Sequence, residues 1–229
     1  MIDLHSHILP GMDDGSKSVA ESLQLWEMLR AQGVTLQAAT SHFYPDREAP
    51  EDFLARRKKS LSSLPEEMTS GLLIGAEVAY FPGIGSSRSI LPLRMGETNL
   101  LLVEMPFTDW TDRMVEDVCT IPMQLGLTPV LAHVNRYPGS KQFPKYCQRL
   151  LEGDVLFQCN AEAFVAGLKG RWPLQQLKKG RIHFLGSDAH NLTTRPPKLD
   201  LAAQRIEKKL GRDFLAEFNG EAEYLLHNA

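Results

Sequence analysis

Histidines and carboxylates recur where the apolar, strand-like runs of this chain stop, and that recurrence restricts the fold more than any other feature. The chain opens on Asp3-Leu4-His5-Ser6-His7, and Asp13-Asp14, Ser41-His42, Glu77, Glu104, His133 and Ser187-Asp188-Ala189-His190 follow. Residues i and i+2 on a strand point the same way, so His5 with His7, and Asp188 with His190, can each grip one ion from a single strand end. Glu77 and Glu104 would be costly at the ends of buried strands unless paired with an arginine or bound to metal. A fold that gathers successive strand ends on one face would make these scattered residues into one polynuclear metal site.

The segments between them alternate in type. Ile2 to His7, Val34 to Thr40, Leu72 to Glu77, Asn99 to Glu104, Leu127 to His133, Val155 to Asn160 and Arg181 to Asp188 read as strands. Ser18-x-x-Glu21 has the form of a capping box and opens a helix that Gly33 closes. Glu51 to Leu64, Met114 to Leu125, Lys145 to Leu151 and the tail from Lys198 read as helices. Strands alternating with helices imply a parallel sheet with right-handed crossovers. About seven strands in this length suggest an α/β barrel, whose chemistry sits at the C-terminal strand ends. Without repeats, low-complexity stretches or linkers, residues 1–229 read as a single domain.

Composition removes several function classes. Hydrophobic residues make up 43% and charged residues 23% of 229, which excludes a disordered chain. No apolar run approaches the roughly 20 residues of a spanning helix, so no integral membrane segment is expected. A strand begins at once, leaving no room for a signal peptide. Three cysteines make no disulfide framework and point to a reducing cytoplasm. A net charge of −3 gives no reason to expect nucleic acid. The one basic run, Arg56-Arg57-Lys58-Lys59, reads as a solvated helix face.

Each candidate has an ordinary alternative. Asp13-Asp14 before Gly15 can be a turn pair, and His42 a cap or turn residue. His183 has the strand parity that faces the outer helices, and His227 lies in the helical tail. Nitrogen and oxygen ligands without a thiolate suit Mn²⁺, Fe²⁺ or Zn²⁺ better than a structural cysteine-type zinc site. Two or three such ions serve phosphoryl transfer. Phosphate also calls for arginine, and Arg136 and Arg195 follow His133 and His190 in loops on the same face.

These motifs, with Ala39-Thr40-Ser41-His42, Gly75-Ala76-Glu77, Val103-Glu104, Ala132-His133 and the closing Ser187-Asp188-Ala189-His190-Asn191 followed by Arg195, resemble the polymerase-and-histidinol-phosphatase (PHP) superfamily. Within it the chain is most similar to the manganese-dependent tyrosine phosphatases of bacterial capsule and exopolysaccharide clusters. The resemblance implies a distorted (β/α)7 TIM-like barrel holding three divalent ions, preferably Mn²⁺, with Fe or Zn as alternatives. Carried over, His5, His7, Glu77 and Asp188 hold the first ion. Glu77, Glu104 and His133 hold the second, and Asp14, His42 and His190 the third. Arg136 and Arg195 hold the phosphate that a metal-bridged hydroxide attacks. The implied partner is a phosphotyrosine protein, the tail of a tyrosine autokinase, and an oligomer is compatible with the sequence.

Two positions depart from the family pattern. The chain reads Ser41-His42-Phe43 where Pro-His-His is frequent, and His133-Val134-Asn135-Arg136 where His-Pro-Glu-Arg is frequent. The rival readings are a small-molecule phosphoesterase such as histidinol phosphatase on the same site, a metal-dependent amidohydrolase and a non-catalytic metal-binding protein. A cysteine-dependent phosphatase is excluded. Its nucleophile needs arginine six positions on, where Cys119, Cys147 and Cys159 have Leu125, Gly153 and Val165.

Overall fold

The structure is a computed structural model describing residues 1–139, 142–167 and 170–228. Its strands are β1 (Ile2–Asp3), β2 (Leu36–Ala39), β3 (His42–Phe43), β4 (Leu72–Ile74), β5 (Glu77–Ala79), β6 (Leu100–Glu104), β7 (Thr128–Leu131), β8 (Leu156–Asn160) and β9 (Phe184–Gly186). The helices are α1 (Val19–Ala31), α2 (Pro50–Leu61), α3 (Glu66–Thr69), α4 (Asp112–Cys119), α5 (Ile121–Leu125), α6 (Phe143–Glu152), α7 (Ala161–Val165), α8 (Arg171–Lys178), α9 (Leu199–Leu210) and α10 (Arg212–His227).

All pairings between these strands are parallel, in the orders β1-β2-β4 and β3-β5-β6-β7-β8-β9. The sheet curls until its first and last strands meet. Leu4 N–H donates to Leu185 O at 3.0 Å, Asp188 N–H to His5 O at 2.7 Å and His7 N–H to Ala189 O at 2.9 Å. The buried Asp3 carboxylate locks this seam, accepting from Ser187 N–H at 2.7 Å and Ser187 Oγ at 2.6 Å. Gly186 lets the two edges approach: a Cβ there would stand 2.6 Å from His5 Cβ and 2.5 Å from Gln158 Nε2.

Period-two alternation separates two cores. Leu100, Leu102, Val130 and Phe184 pack inside the curl with Leu4, and Ala222 and Leu226 of α10 close one end. Leu101, Val103, Leu131, Phe157 and Leu185 face the helices instead. The inner columns turn polar toward the C-terminal strand ends: Leu100-Leu102 continues to Glu104, and Leu156 continues to Gln158 and Asn160. The polar ends of these columns form the floor of the site.

Several boundaries differ from the sequence reading. The strand expected over Leu72 to Glu77 breaks at Gly75-Ala76, where a Cβ on Gly75 would stand 2.9 Å from Met95 Cγ. Glu77 therefore opens β5 instead of ending β4, its N–H turned to the Thr40 and Ser41 carbonyls at 3.2 and 3.1 Å. The helix expected over Met114 to Leu125 divides at Thr120, ahead of Pro122, into α4 and α5. Neither α7 nor α8 was anticipated. At Ser18 the hydroxyl caps Glu21 N–H at 3.2 Å, but the Glu21 carboxylate reaches Lys17 N–H at 2.8 Å, one residue before the cap. In the basic run Lys58 and Lys59 are exposed, whereas Arg57 turns inward to Gly75 O at 2.8 Å.

Candidate metal centre

The nine residues proposed as ligands meet in one cluster, most of them just past a C-terminal strand end, whereas His42 and Glu77 open β3 and β5. His5 Nε2 lies 3.1 Å from His7 Nε2 and 3.2 Å from Glu77 Oε2. His133 Nε2 reaches Glu77 Oε1 at 2.9 Å and Glu104 Oε1 at 3.2 Å. Asp188 Oδ1 stands 3.5 Å from His7 Nε2 and from His190 Nδ1. His42 Nδ1 is 2.9 Å from Glu77 Oε2, and its Nε2 is 3.6 Å from Asp14 Oδ1. Asp14, 65% exposed, closes the cluster from outside, 3.4 Å from His190 Nε2. Glu77 touches histidines on every side, so the arginine pair considered from sequence does not account for it.

Three histidines are aimed by partners on their far nitrogen. His5 Nδ1 donates to Gln158 Oε1 at 3.1 Å, His7 Nδ1 to Asp13 Oδ2 at 2.7 Å and His190 Nδ1 to Asp188 O at 2.9 Å. Each proton placed on Nδ1 leaves Nε2 facing the cluster, the arrangement that outer-sphere partners impose on metal-binding histidine. Asp13 also accepts from Gly15 N–H at 2.9 Å and His42 N–H at 2.8 Å. It is thus both the turn residue and an orienting group. Gln158 further accepts from His133 N–H at 2.7 Å, and Asn160 Nδ2 donates to Asp188 Oδ2 at 2.8 Å. The sequence reading missed Asp13, Gln158 and Asn160 in these roles. The signal for the last two was a pair of amides two residues apart on an otherwise apolar strand.

The donor set fits divalent cations on its own geometry. Glu77 Oε2, His42 Nδ1 and His190 Nε2 are buried without hydrogen-bond partners, though the first two approach within 2.9 Å. Two imidazole lone pairs facing each other across 3.1 Å, as at His5 and His7, repel unless a proton or a cation lies between them. Among the described residues, three groups of side chains bring ligand atoms within 4.8 Å of one another: His5, His7 and Glu77; His42, Glu77 and Glu104; and His7, Asp14, His42 and His190. His42 joins the second group, where the family resemblance places His133.

The electrostatics match this donor set. Burial pushes the Glu77 carboxyl up, but His5, His133 and His42 outweigh it and hold it well below the usual carboxylate range. Burial works against a charge on His7, yet Asp13 and Glu77 raise it to about 10. A cation held at His7 would have to displace that proton. His190 is pushed down to about 3, first by burial and then by His7, and keeps its lone pair free. Backbone strain collects here too. His133 (φ 31°) and Asp188 (φ 50°) sit in the left-handed region, at a cost of about 1–2 kcal/mol each.

Arg136 and Arg195, 30% and 34% exposed, stand at the mouth and both donate to Asp188 Oδ2, Arg195 Nη2 at 2.8 Å. Asn191 Oδ1 shapes the Arg195 loop by accepting from the N–H groups of Thr193, Thr194 and Arg195 at 3.0, 2.7 and 3.1 Å. The two departures from the family pattern have structural partners. Phe43 is buried and edge-on to Phe53 at 5.4 Å, and Asn135 Oδ1 accepts from Asn160 N–H at 2.9 Å. His183 lies outside the cluster, accepting from Phe157 N–H at 2.9 Å, and is pushed down to about 4 by burial. A cavity of about 490 Å³ lined by Asp13, Asp14, His42, Tyr44 and Arg47 opens beside the cluster.

Comparison with known proteins shows the family of the chain. The family model for capsular polysaccharide synthesis, CpsB/CapC, matches residues 1–226. Tyrosine-protein phosphatase YwqE of Bacillus subtilis is 29% identical over 100% of this chain and 92% of its own. Tyrosine-protein phosphatase CpsB of Streptococcus pneumoniae is 30% identical over 92% of this chain and 91% of its own. A structure from work on YwqE and CpsB, described as unique metal-dependent tyrosine phosphatases, superposes with a TM-score of 0.83 at 26% identity, covering 100% of this chain and 95% of that one. With its curled parallel sheet and a match over nearly its whole length, the chain belongs to the CpsB/CapC family of capsular polysaccharide synthesis.

Proposed function

We propose that this chain is a metal-dependent protein-tyrosine phosphatase of capsule or exopolysaccharide synthesis, acting in the cytoplasm on the phosphotyrosine tail of a tyrosine autokinase. The observation that carries it is the convergence of nine nitrogen and oxygen ligands, with two arginines at their mouth, in a chain of this family. If β2 with β3, and β4 with β5, each count as one broken strand, residues 1–229 form a single (β/α)7 barrel domain. Three Mn²⁺ ions, held by the three sets named from the resemblance, match the number of ligands.

Bound divalent ions would activate water at neutral pH and neutralise phosphoryl oxygens. The protein supplies the rest. Asp13, Gln158 and the Asp188 carbonyl orient the imidazoles, and Glu77 lies where its two oxygens can serve two ions. Arg136 and Arg195 each spend only part of their donors on Asp188, leaving N–H groups for two phosphate oxygens. A tyrosine leaves as a phenolate whose acid has a pKa of about 10, far below that of an alkyl alcohol, so it needs less proton donation. That suits a site where Asn135 stands in place of an acidic residue and is bonded to β8.

The test compares a phosphotyrosine peptide with histidinol phosphate as substrates of the Mn²⁺-loaded protein. The peptide should have the higher kcat/KM; a preference for histidinol phosphate would favour the small-molecule reading. Iodoacetamide should leave the rate intact, because burial raises the thiols of Cys119, Cys147 and Cys159 and suppresses the reactive thiolate.

A further inference from the structure

One large apolar ring stands open beside the cluster. Phe107, in the loop between β6 and α4, is 61% exposed. It stacks on His133 with centroids 5.5 Å apart at 24°, and on Tyr137 at 5.7 Å and 27°. Tyr137 is buried, and its hydroxyl accepts from Met105 N–H at 3.1 Å and donates to Met105 O at 3.2 Å. The surface beneath Phe107 is therefore rigid, while the ring forgoes the burial an apolar group gains elsewhere. Tyr44, the other ring stacked on the cluster's rim, is different. It lies 5.1 Å from His42, but the Arg47 guanidinium already covers it at 4.1 Å. Among the described residues no such cover lies over Phe107.

We infer that Phe107 is the platform for the substrate's aromatic ring, a specificity-determining residue for aryl phosphates. The inference rests on the tyrosine-phosphatase reading above. A phosphotyrosine ring is joined to its phosphate by a single ester oxygen. With the phosphate at Arg136 and Arg195, the ring lies outward of the cluster, at its rim. Phe107, stacked on His133 and open to solvent, borders that rim. Two rings there can meet offset or edge to face, whereas a phosphoserine or inorganic phosphate brings no ring to the platform. Phe107 takes no part in bond making; it holds the leaving group.

Steady-state kinetics of the Mn²⁺-loaded wild type, Phe107→Ala and Phe107→Tyr test this with a phosphotyrosine peptide, and with inorganic phosphate as a ring-free competitive inhibitor. Phe107→Ala should raise KM roughly 10-fold, the scale of one aromatic pair, with kcat within about twofold. The phosphate Ki should stay at the wild-type value, and Phe107→Tyr should restore KM. An unchanged KM in Phe107→Ala would overturn the inference. So would a parallel rise in the phosphate Ki, which would make Phe107 a mere support for His133. A wild type inactive on the peptide would instead remove the phosphatase reading itself.

Discussion

Glu77→Gln is expected to abolish phosphotyrosine hydrolysis, lowering kcat/KM by about 10³-fold or more, the scale of removing a group on which the whole reaction depends. Glu77 is the hub of the cluster: Oε1 meets His133, and Oε2 lies within 3.3 Å of His5, His7 and His42. Glutamine keeps the shape and one acceptor oxygen but removes the charge, and its amide nitrogen puts a donor that cannot ligate a cation where a carboxylate oxygen stood. The variant should lose metal along with activity, while circular dichroism shows a folded chain, because the hydrophobic contacts of β5 and β6 are untouched. A Glu77→Gln protein with wild-type metal content and rate would remove the carboxylate from the centre of the scheme.

Arg195→Ala should separate catalysis from metal binding. Guanidinium stays protonated and cannot ligate a cation, so its loss should leave the metal content unchanged. It should cost about 10- to 1000-fold in kcat/KM, the scale of one charge-stabilising donor. Arg195 is held for this work by the Asn191 loop and by Asp188 Oδ2 at 2.8 Å. Arg195→Lys should recover only part of the loss, since an ammonium lacks the planar fork that meets two phosphate oxygens. Normal turnover in Arg195→Ala would return this residue to the surface.

The site was more legible in the sequence than the fold around it. Histidines and carboxylates at the ends of apolar runs stand out because burying them unpaired is costly, so His5, His7, Glu77 and Glu104 announce themselves. Their orienting partners do not. Gln158 and Asn160 look like an ordinary strand end until the fold brings His5, after β1, and Asp188, after β9, to their side chains. Asp13 reads as a turn residue because it also is one, through Gly15 N–H. The strand breaks at Thr40-Ser41 and Gly75-Ala76 meet across the sheet, where Glu77 N–H turns to the Thr40 and Ser41 carbonyls, a pairing that no local pattern records. The left-handed backbone at His133 and Asp188 is equally invisible, because neither residue type demands it.

The central claim is that hydrolysis depends on ions held by this histidine–carboxylate cluster. Metal content and phosphotyrosine-peptide turnover, measured on the same wild-type samples before chelation, after it and after Mn²⁺ is returned, test that claim most directly. Activity should vanish with the metal and return with it, in proportion to the ions bound. Full turnover in a sample stripped of metal would contradict it.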